Sequence, residues 1–292
     1  MLSIDPKAIS IPKLHGYLLS AIAPRPIAFA STVDADGNPN LSPFSFFNVF
    51  SANPPVMIFS PARRVRDNTV KHTLENADQT REVVINVVSY AMVQQMSLSS
   101  TEYPRGVNEF IKSGFTMLPS ELVKPYRVAE SPVQFECRVQ DIVAMGTGGG
   151  AGNLIICEVL RMHIATHVLD ADNRIDPYKI DLVSRMGADW YCRSVMGMFE
   201  VPKPLSSVGI GVDAIPENIR KSDVLTGNDL GKLGNVDRLP GKPEIEAFIN
   251  ASADLQTILK TNDQRQLHES ARACLEQDDV LSAWKTLLAA TV

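Results

Sequence analysis

The sequence lacks most of the motifs that assign a chemistry directly. It has no nucleophile elbow, no HExxH, no Walker loop and no GxGxxG, so acyl transfer, zinc hydrolysis and nucleoside-triphosphate chemistry have no support. Its cysteines include no CxxC pair, which argues against a zinc knuckle or a dithiol redox centre. They are Cys137, Cys157, Cys192 and Cys274. The histidine pair 163 and 167 has no third ligand at metal spacing, so a metal site is disfavoured.

The chain also lacks an excess of positive charge and a long apolar run. Its formal net charge is -5 and its pI is near 5.6, which gives no general electrostatic reason to approach nucleic acid or anionic lipid. No apolar run approaches the roughly 20 residues that span a bilayer, and the start, MLSIDPKAIS, has neither a cationic n-region nor an apolar h-region. We therefore expect no nucleic-acid partner, no membrane partner and a cytoplasmic location.

What the chain does contain is a series of strand-like segments. They are rich in Val, Ile and Phe, are bounded by turn residues, and cover residues 26–32, 55–60, 82–89, 133–145 and 153–165. The turn at Asp36-Gly37 predicts one hairpin, and TGGGAGN at 147–153 predicts another. Because a strand rather than a helix follows these glycines, a flexible hairpin tip is favoured over a phosphate cradle.

Helical patterns are shorter until the last part of the chain. Short helices are predicted within residues 66–77, 91–99 and 104–118, the last ending at Gly114. Residues 205–240 predict an extended, wrapping segment, and apolar residues at helical spacing from Pro243 onward predict two or three amphipathic helices. We therefore expect one domain over residues 1–204 and an extension over residues 205–292.

The most informative stretch is residues 25–73, where two strand-like segments stand beside loops rich in hydroxyl, amide and guanidinium groups. A strand can lie along a flat apolar ring, while Ser, Thr, Asn and Arg on a loop donate hydrogen bonds to a dianion. This combination indicates a site for a phosphorylated aromatic cofactor. No catalytic base is evident, so in an enzyme the cofactor would carry the reaction.

Two segments would form this site. The first is a strand edge with alternate residues facing the ligand, or alternatively a solvent-facing loop with phenylalanines in the core; its residues are Asn40, Ser42, Pro43, Phe44 and Ser45. In the second, residues 60–69, Asn68 or Thr69 would cap a helix whose free amides join the arginines in holding a phosphate. The alternative is a capped helix with a solvated cationic face.

The chain contains RPIAFASTVDADGNPNLSPFSFFNVFSANPPVMIFSPARRVRDNTVKHTLEN, followed by EVVINVVS, EYPRGVNEF and SRMGADWYCR. In these segments it resembles the flavin reductase-like, FMN-binding split-barrel family. The resemblance covers about residues 20–200. It implies a mainly β fold with helical additions, namely an antiparallel Greek-key split β-barrel, to which the C-terminal helical extension is added. It also implies a homodimer with flavin at or near the interface, FMN as cofactor with FAD as an alternative, and NADH or NADPH as hydride donor.

The same resemblance assigns residues to the flavin. Asn40, Ser42, Pro43, Phe44 and Ser45 match the strand along the ring and ribityl chain. The phosphate loop is matched by Ser60, Arg64, Asn68, Thr69, Lys71 and Thr73. The chain departs from the family at Asn68, where glycine is frequent, and at His72, where aspartate is frequent. Arg185 and Tyr191 match a motif near the flavin or at the dimer interface, with a structural strand–loop contact as the alternative.

Three functions are compatible with these assignments. The leading expectation is an NAD(P)H:flavin reductase that passes hydride through bound flavin to free flavin or another small-molecule acceptor. The alternative is an FMN-binding electron-transfer module without nicotinamide turnover, dependent on a partner protein. A third is an oxidase or reductase of an organic substrate, with the C-terminal extension shaping the substrate pocket.

Overall fold

The computed structural model describes residues 1–201 and 208–292, which form two compact units, Met1–Met198 and Phe199–Val292. The predicted domain boundary between residues 204 and 205 lies outside the described residues. The strands of the N-terminal unit are β1 (Ala28–Val33), β2 (Pro39–Phe44), β3 (Phe47–Ala52), β4 (Pro55–Phe59), β5 (Glu82–Asn86), β6 (Met117–Leu118), β7 (Arg127–Val128), β8 (Val133–Ala144), β9 (Asn153–Ile164), β10 (Val183–Arg185) and β11 (Tyr191–Arg193). Its helices are α1 (Ile11–Ala21), α2 (His72–Thr80), α3 (Val93–Leu98), α4 (Glu109–Ser113) and α5 (Pro177–Ile180).

Seven of these strands form one antiparallel sheet in the order β2-β1-β5-β8-β9-β4-β3. The two edge strands, β2 and β3, are consecutive in the chain and only Ser45 and Phe46 lie between them. The sheet must therefore curl until its edges meet, and the aromatic rings of Phe44 and Phe59 lie 5.4 Å apart. This arrangement confirms the predicted antiparallel split barrel.

The barrel encloses a core of alternate strand residues, such as Ala28, Phe59, Ile85 and Ile155. The opposite face of β1 is also covered, because Phe29 packs with residues of α3 and α4. Burial of both faces explains why every residue of β1 is buried. The core thus fixes the strands that carry the predicted site.

The five predicted strand segments are confirmed as β1, β4, β5, β8 and β9, and both predicted hairpins are present. Helices α3 and α4 are also confirmed, and Asn108 caps α4, which ends at Gly114 with φ 71°. The predicted helix start at Asn68 or Thr69 is wrong. Asn68 has φ 57°, and a hydrogen bond from the Arg64 amide to the Thr69 carbonyl folds the loop back, so α2 begins only at His72.

The C-terminal unit is helical and has its own core around Leu233, Leu275, Trp284 and Leu287. Its helices are α6 (Glu217–Arg220), α7 (Gly227–Gly234), α8 (Lys242–Ala251), α9 (Ala253–Thr261), α10 (Gln264–Glu276) and α11 (Val280–Leu288). The Trp284 indole donates a hydrogen bond of 3.0 Å to the Leu233 carbonyl.

Two details of the predicted extension are wrong. The segment predicted as extended over 205–240 contains α6 and α7, the latter stabilised by a capping box between Thr226 and Asp229; residues 202–207 lie outside the described residues. From residue 242 onward there are four helices rather than two or three, because Ser252 ends α8 and caps α9. Across the described part of the chain, no helix is both long enough and apolar enough to cross a bilayer.

Candidate functional site

A small polar cleft lies where β2, the start of α2 and the segment after α3 meet. Five of the predicted site residues line it, namely Asn40, Ser42, Arg64, Lys71 and Thr73. Its volume is about 20 Å³, room for little more than one water molecule. A larger anion would therefore enter only if a side chain moved aside. We call this site the anion cleft.

Hydrogen bonds tie β2 to α2 at the base of the anion cleft. The Asn40 amide donates to the Thr73 hydroxyl at 2.9 Å and to the Thr32 hydroxyl at 3.3 Å. Asn76 of α2 donates to the same Thr32 hydroxyl at 3.1 Å. Asn40 and Thr73 are buried, so this network fixes the strand edge against the first turn of the helix. The fold thus brings two of the predicted site residues into direct contact.

Cationic side chains converge on the anion cleft. Arg64 donates to the Thr69 hydroxyl at 2.9 Å and to the Val70 carbonyl at 2.6 Å, which fixes its guanidinium in place. Lys71 is half-buried, and its pKa is lowered by burial first and by the charge of Arg64 second. The charge of Glu102 acts in the opposite direction and raises the pKa of Lys71, with a smaller effect. The donors fit a phosphate dianion, which would satisfy Lys71 and Arg64 together.

We call residues 60–70 the arginine loop. Asn68 and Thr69 stabilise the fold of this loop but do not line the anion cleft. The Asn68 side chain accepts from Arg63 at 2.7 Å and donates to the Thr147 carbonyl at 3.0 Å. The Thr69 hydroxyl donates to Asp67 at 2.6 Å, and this bond helps to hold the pKa of the Asp67 carboxyl at about 2. Both residues therefore support the loop from positions outside the cleft.

Residues 147–152, the glycine tip of the β8–β9 hairpin, hold the arginine loop from the other side. The Arg63 amide donates to Ala151 at 2.8 Å, and the Gly150 amide donates to Arg63 at 2.9 Å. A Cβ on Gly149 would stand 3.0 Å from the Arg64 carbonyl oxygen. The tip is thus not a plain hairpin end, since it buttresses the loop that carries Arg64. The only sequence signal for this role was the run of three glycines.

The remaining predicted residues of the first strand and loop lie away from the anion cleft. The side chain of Phe44 is in the barrel core, and Pro43 pairs with Phe29 in the β1–β2 ladder. The Ser45 hydroxyl accepts from the Arg25 guanidinium at 3.4 Å. Ser60 is buried and its amide donates to the Phe46 carbonyl at 2.9 Å. These residues connect the two barrel edges.

Arg185 and Tyr191 also lie outside the anion cleft, on the β10–β11 hairpin. They are directly paired, and the Arg185 guanidinium carbon is 4.6 Å from the centre of the Tyr191 ring. The backbones of Arg185 and Arg25 exchange hydrogen bonds of 2.8 and 2.9 Å. Burial first, and the charge of Arg185 second, lower the pKa of the Arg25 guanidinium. The hairpin is thereby joined to the segment that precedes β1.

Sequence reasoning missed the wall of the anion cleft formed after α3. Glu109 is buried, its carboxylate accepts from the Leu41 amide at 3.1 Å, and burial raises its pKa. Glu102 accepts from the Arg64 guanidinium at 3.0 Å and also pairs with Arg66. The string EYPRGVNEF contains both glutamates, but an acidic residue gives no signal for a phosphate site. The other residues of this wall are Ser99, Thr101 and Tyr103, and His72 lies opposite.

Comparisons with known proteins agree with this fold. The sequence profile of the flavin reductase like domain matches residues 20–179. An uncharacterized protein of Aquifex aeolicus is 35% identical over 181 residues, which are 62% of this chain and 90% of that protein. The crystal structure of nitrilotriacetate monooxygenase component B from Bacillus cereus superposes with a TM-score of 0.65 and 28% identity, covering 69% of this chain and 98% of that one.

A further structure, the flavoredoxin of Desulfovibrio vulgaris, has a TM-score of 0.54 at 18% identity and covers 70% of this chain and 98% of that one, a likeness of fold alone. The profile covers more than half of this chain, and the barrel is the one these structures share. The chain belongs to the flavin reductase like domain family. This membership supports a flavin-related oxidoreductase.

Proposed function

We propose that the protein is an FMN-dependent oxidoreductase that oxidises NADH or NADPH and reduces free flavin or another small acceptor. The observation that carries the proposal is the convergence of Arg64, Lys71 and Thr73 beside the β2 edge in a chain of this family. Bound flavin would supply the hydride-accepting centre. The protein would hold the cofactor and orient it for transfer.

FMN is favoured over FAD by the charge at the anion cleft. A terminal phosphate monoester is close to a dianion at neutral pH, whereas each phosphate of a diphosphate linkage carries a single charge. Arg64 is fixed by two hydrogen bonds, and Lys71 is half-buried beside it. Two neighbouring cations attract a dianion more strongly than a monoanion because the Coulomb energy scales with the product of charges.

We further propose a homodimer with the flavin at or near the interface. No residue of α1 is buried, and Leu18 is 52% exposed. On the neighbouring edge strand β3, Val49 is 61% and Phe50 is 65% exposed. The rings of His15 and Phe46 are 6.2 Å apart, so the two apolar surfaces adjoin. An edge strand and a helix face of this kind favour a second copy as the cover.

The dimer is tested with a Val49→Asp, Phe50→Asp double variant. The molar mass of the variant and of the wild-type chain is measured by light scattering as each elutes from a size-exclusion column. The wild-type chain should elute as a dimer and the double variant as a monomer. A double variant that remains dimeric would assign the interface elsewhere.

We also propose a cytoplasmic location. All four cysteines are free thiols, which suits a reducing compartment.

The function itself is tested by the absorbance spectrum of the purified protein with added FMN. The spectrum is followed during anaerobic addition of NADH and then NADPH. We expect a bound-flavin spectrum that bleaches with at least one nucleotide. A bound flavin that neither nucleotide reduces would favour the electron-transfer module that depends on a partner protein. Failure to bind FMN would reject both functions.

A further inference from the structure

The anion cleft already contains an anion that belongs to the chain itself. One carboxylate oxygen of Glu102 accepts from the Arg64 guanidinium at 3.0 Å, and the other pairs with Arg66. Glu102 also lines the same cleft as Lys71 and Thr73. The carboxylate thus binds the guanidinium groups that would otherwise attract a phosphate.

We propose that Glu102 is an internal competitor of the flavin phosphate, which lowers the affinity for FMN and so keeps the flavin exchangeable. This inference rests on the proposed function, because it concerns the same anion cleft. It assigns to this chain a residue that sets how tightly the phosphate is held. It also predicts that small inorganic anions bind poorly while the carboxylate is in place.

The geometry indicates which group moves when a phosphate enters. The Arg64 side chain is only 17% exposed and is held by the Thr69 hydroxyl and the Val70 carbonyl. The Glu102 side chain is 37% exposed, so it can turn into solvent without breaking a packed core. When a phosphate enters, Arg64 therefore keeps its position and the carboxylate of Glu102 turns away from the cleft.

Two physical effects set the direction of the competition. A phosphate dianion forms stronger charge-assisted hydrogen bonds with Arg64 and Lys71 than a carboxylate does, so it displaces Glu102. Entry of the dianion breaks the ion pairs of Glu102 with Arg64 and Arg66, and the free energy of these pairs is subtracted from that of phosphate binding. Removal of the carboxylate charge should therefore strengthen binding and slow release of FMN.

The test substitution is Glu102→Gln, which keeps the size of the side chain and removes its charge. Glu75→Gln is the matched control, because Glu75 is 35% exposed, is paired with Arg105, and does not line the anion cleft. Dissociation constants and release rates of FMN and of riboflavin are measured from the change in flavin fluorescence. Binding of inorganic phosphate, followed by thermal shift, tests the cleft without flavin.

We expect Glu102→Gln to bind FMN about five-fold more tightly, the equilibrium equivalent of an exposed ion pair, and to release it more slowly. Inorganic phosphate should also bind more tightly to this variant. Riboflavin has no phosphate, so its affinity should not change, and Glu75→Gln should behave as wild type with all three ligands.

Unchanged or weaker binding of FMN by Glu102→Gln would overturn the inference and leave the proposed function standing. Equal gains with riboflavin would also overturn it, since the effect would then not act through the phosphate. If neither the wild-type chain nor the variant bound FMN, the proposed function would fail and this inference with it. The wild-type titration therefore separates the two failures.

Discussion

Gly149 lies against Val65 so closely that a Cβ on the glycine would stand 3.0 Å from the Val65 Cα. The same added atom would be 3.0 Å from the carbonyl oxygen of Arg64. Both neighbours are backbone atoms, which cannot rotate away as the end of a side chain can. The glycine tip therefore sets the position of the arginine loop, and with it the position of the Arg64 guanidinium.

Gly149→Ala should lower the affinity for FMN by up to about ten-fold. The added methyl group would push the loop away, and overpacking of this kind costs about 1–3 kcal/mol. Because the loop carries Arg64, part of that cost should appear as weaker phosphate binding. Fluorescence titration with FMN measures the effect, and riboflavin binding should change less.

Gly148→Ala provides the matched control one residue away. A Cβ at Gly148 meets nothing within 4 Å, so this variant should bind FMN as the wild-type chain does. If Gly149→Ala also bound FMN as tightly as the wild-type chain, the buttressing role of the tip would be contradicted. Equal losses would show a general effect on the β8–β9 hairpin instead.

Lys71→Gln should weaken FMN binding by about 1.5–3 kcal/mol, the range for a hydrogen bond to a charged group. The pKa of Lys71 is lowered by burial and by Arg64, and a bound dianion favours the charged amine. FMN binding should therefore take up a proton at alkaline pH, and affinity should fall as pH rises through the lowered pKa of the free site. FMN titrations at a series of alkaline pH values measure how steeply the affinity falls.

The Lys71→Gln variant should lack this alkaline decline, because it has no amine to titrate. Any decline that both proteins share belongs to the ligand or to another group. If the affinity for FMN changed with pH in the same way in the wild-type chain and in the variant, Lys71 would not be a phosphate ligand. The difference between the two curves isolates the lysine.

The sequence could predict the barrel because its strands bury both faces, as β1 does, or alternate between buried and half-buried residues, as the first half of β9 does. It could not predict β3, because Val49 and Phe50 are exposed and the strand is defined by its pairing with β4. Nor could it predict where α2 begins. The conformation of Asn68 depends on Thr147, a residue 79 positions along the chain.

The candidate site was predictable to a similar degree. Asn40 and Thr73 were assigned to one site, and the fold brings them into hydrogen-bond contact at 2.9 Å. Glu102 and the glycine tip were not assigned, since their roles come from contacts with the arginine loop that no local pattern encodes. Asn40 and Thr73 could be recognised from the sequence by their hydrogen-bonding side chains. Glu102 and the glycine tip are connected with the site only by their positions in the folded chain.

Glu136→Gln should destabilise the N-terminal unit by about 1–3 kcal/mol, the cost of leaving a buried polar group unsatisfied. The Glu136 side chain is fully buried and accepts from the Glu121 and Leu122 amides at 2.9 and 2.6 Å. His163 lies 2.7 Å from the same carboxylate. A glutamine has only one acceptor oxygen to replace two. Denaturant unfolding measures the loss.

The same carboxylate predicts a pH dependence of stability. Burial alone would raise the pKa of Glu136, but the Glu121 and Leu122 amides and His163 outweigh it, and the net pKa is lowered. A lowered folded pKa gives stability that is present above the unfolded value, about 4.3, and is lost as pH falls through the folded value. Glu136→Gln should therefore flatten the acid side of the stability curve.

Glu121→Gln is the control for this network, because the Glu121 side chain is 48% exposed and makes only peripheral contacts, an ion pair with Arg161 and a 3.9 Å approach to His163. It should change stability by less than about 0.5 kcal/mol. If Glu121→Gln and Glu136→Gln lost the same stability, the buried carboxylate would have no special role.

A fragment that ends at Val201 should fold and bind FMN as the full chain does. The core residues around Phe59 and Ile85 come from the N-terminal unit, and the cluster around Trp284 comes from the C-terminal unit. The residues that line the anion cleft also lie in the N-terminal unit. Changes at independent sites usually add within about 0.5 kcal/mol, so the dissociation constant for FMN should agree within about two-fold.

Thermal unfolding and FMN titration of the fragment, compared with the full chain, test this expectation. If the fragment binds FMN but reduces a different set of acceptors, the C-terminal unit would act in choosing the acceptor rather than in holding the flavin. A fragment that unfolds or fails to bind FMN would instead assign the C-terminal unit a part in forming the flavin site. The two outcomes separate acceptor choice from cofactor binding because only the second depends on the anion cleft.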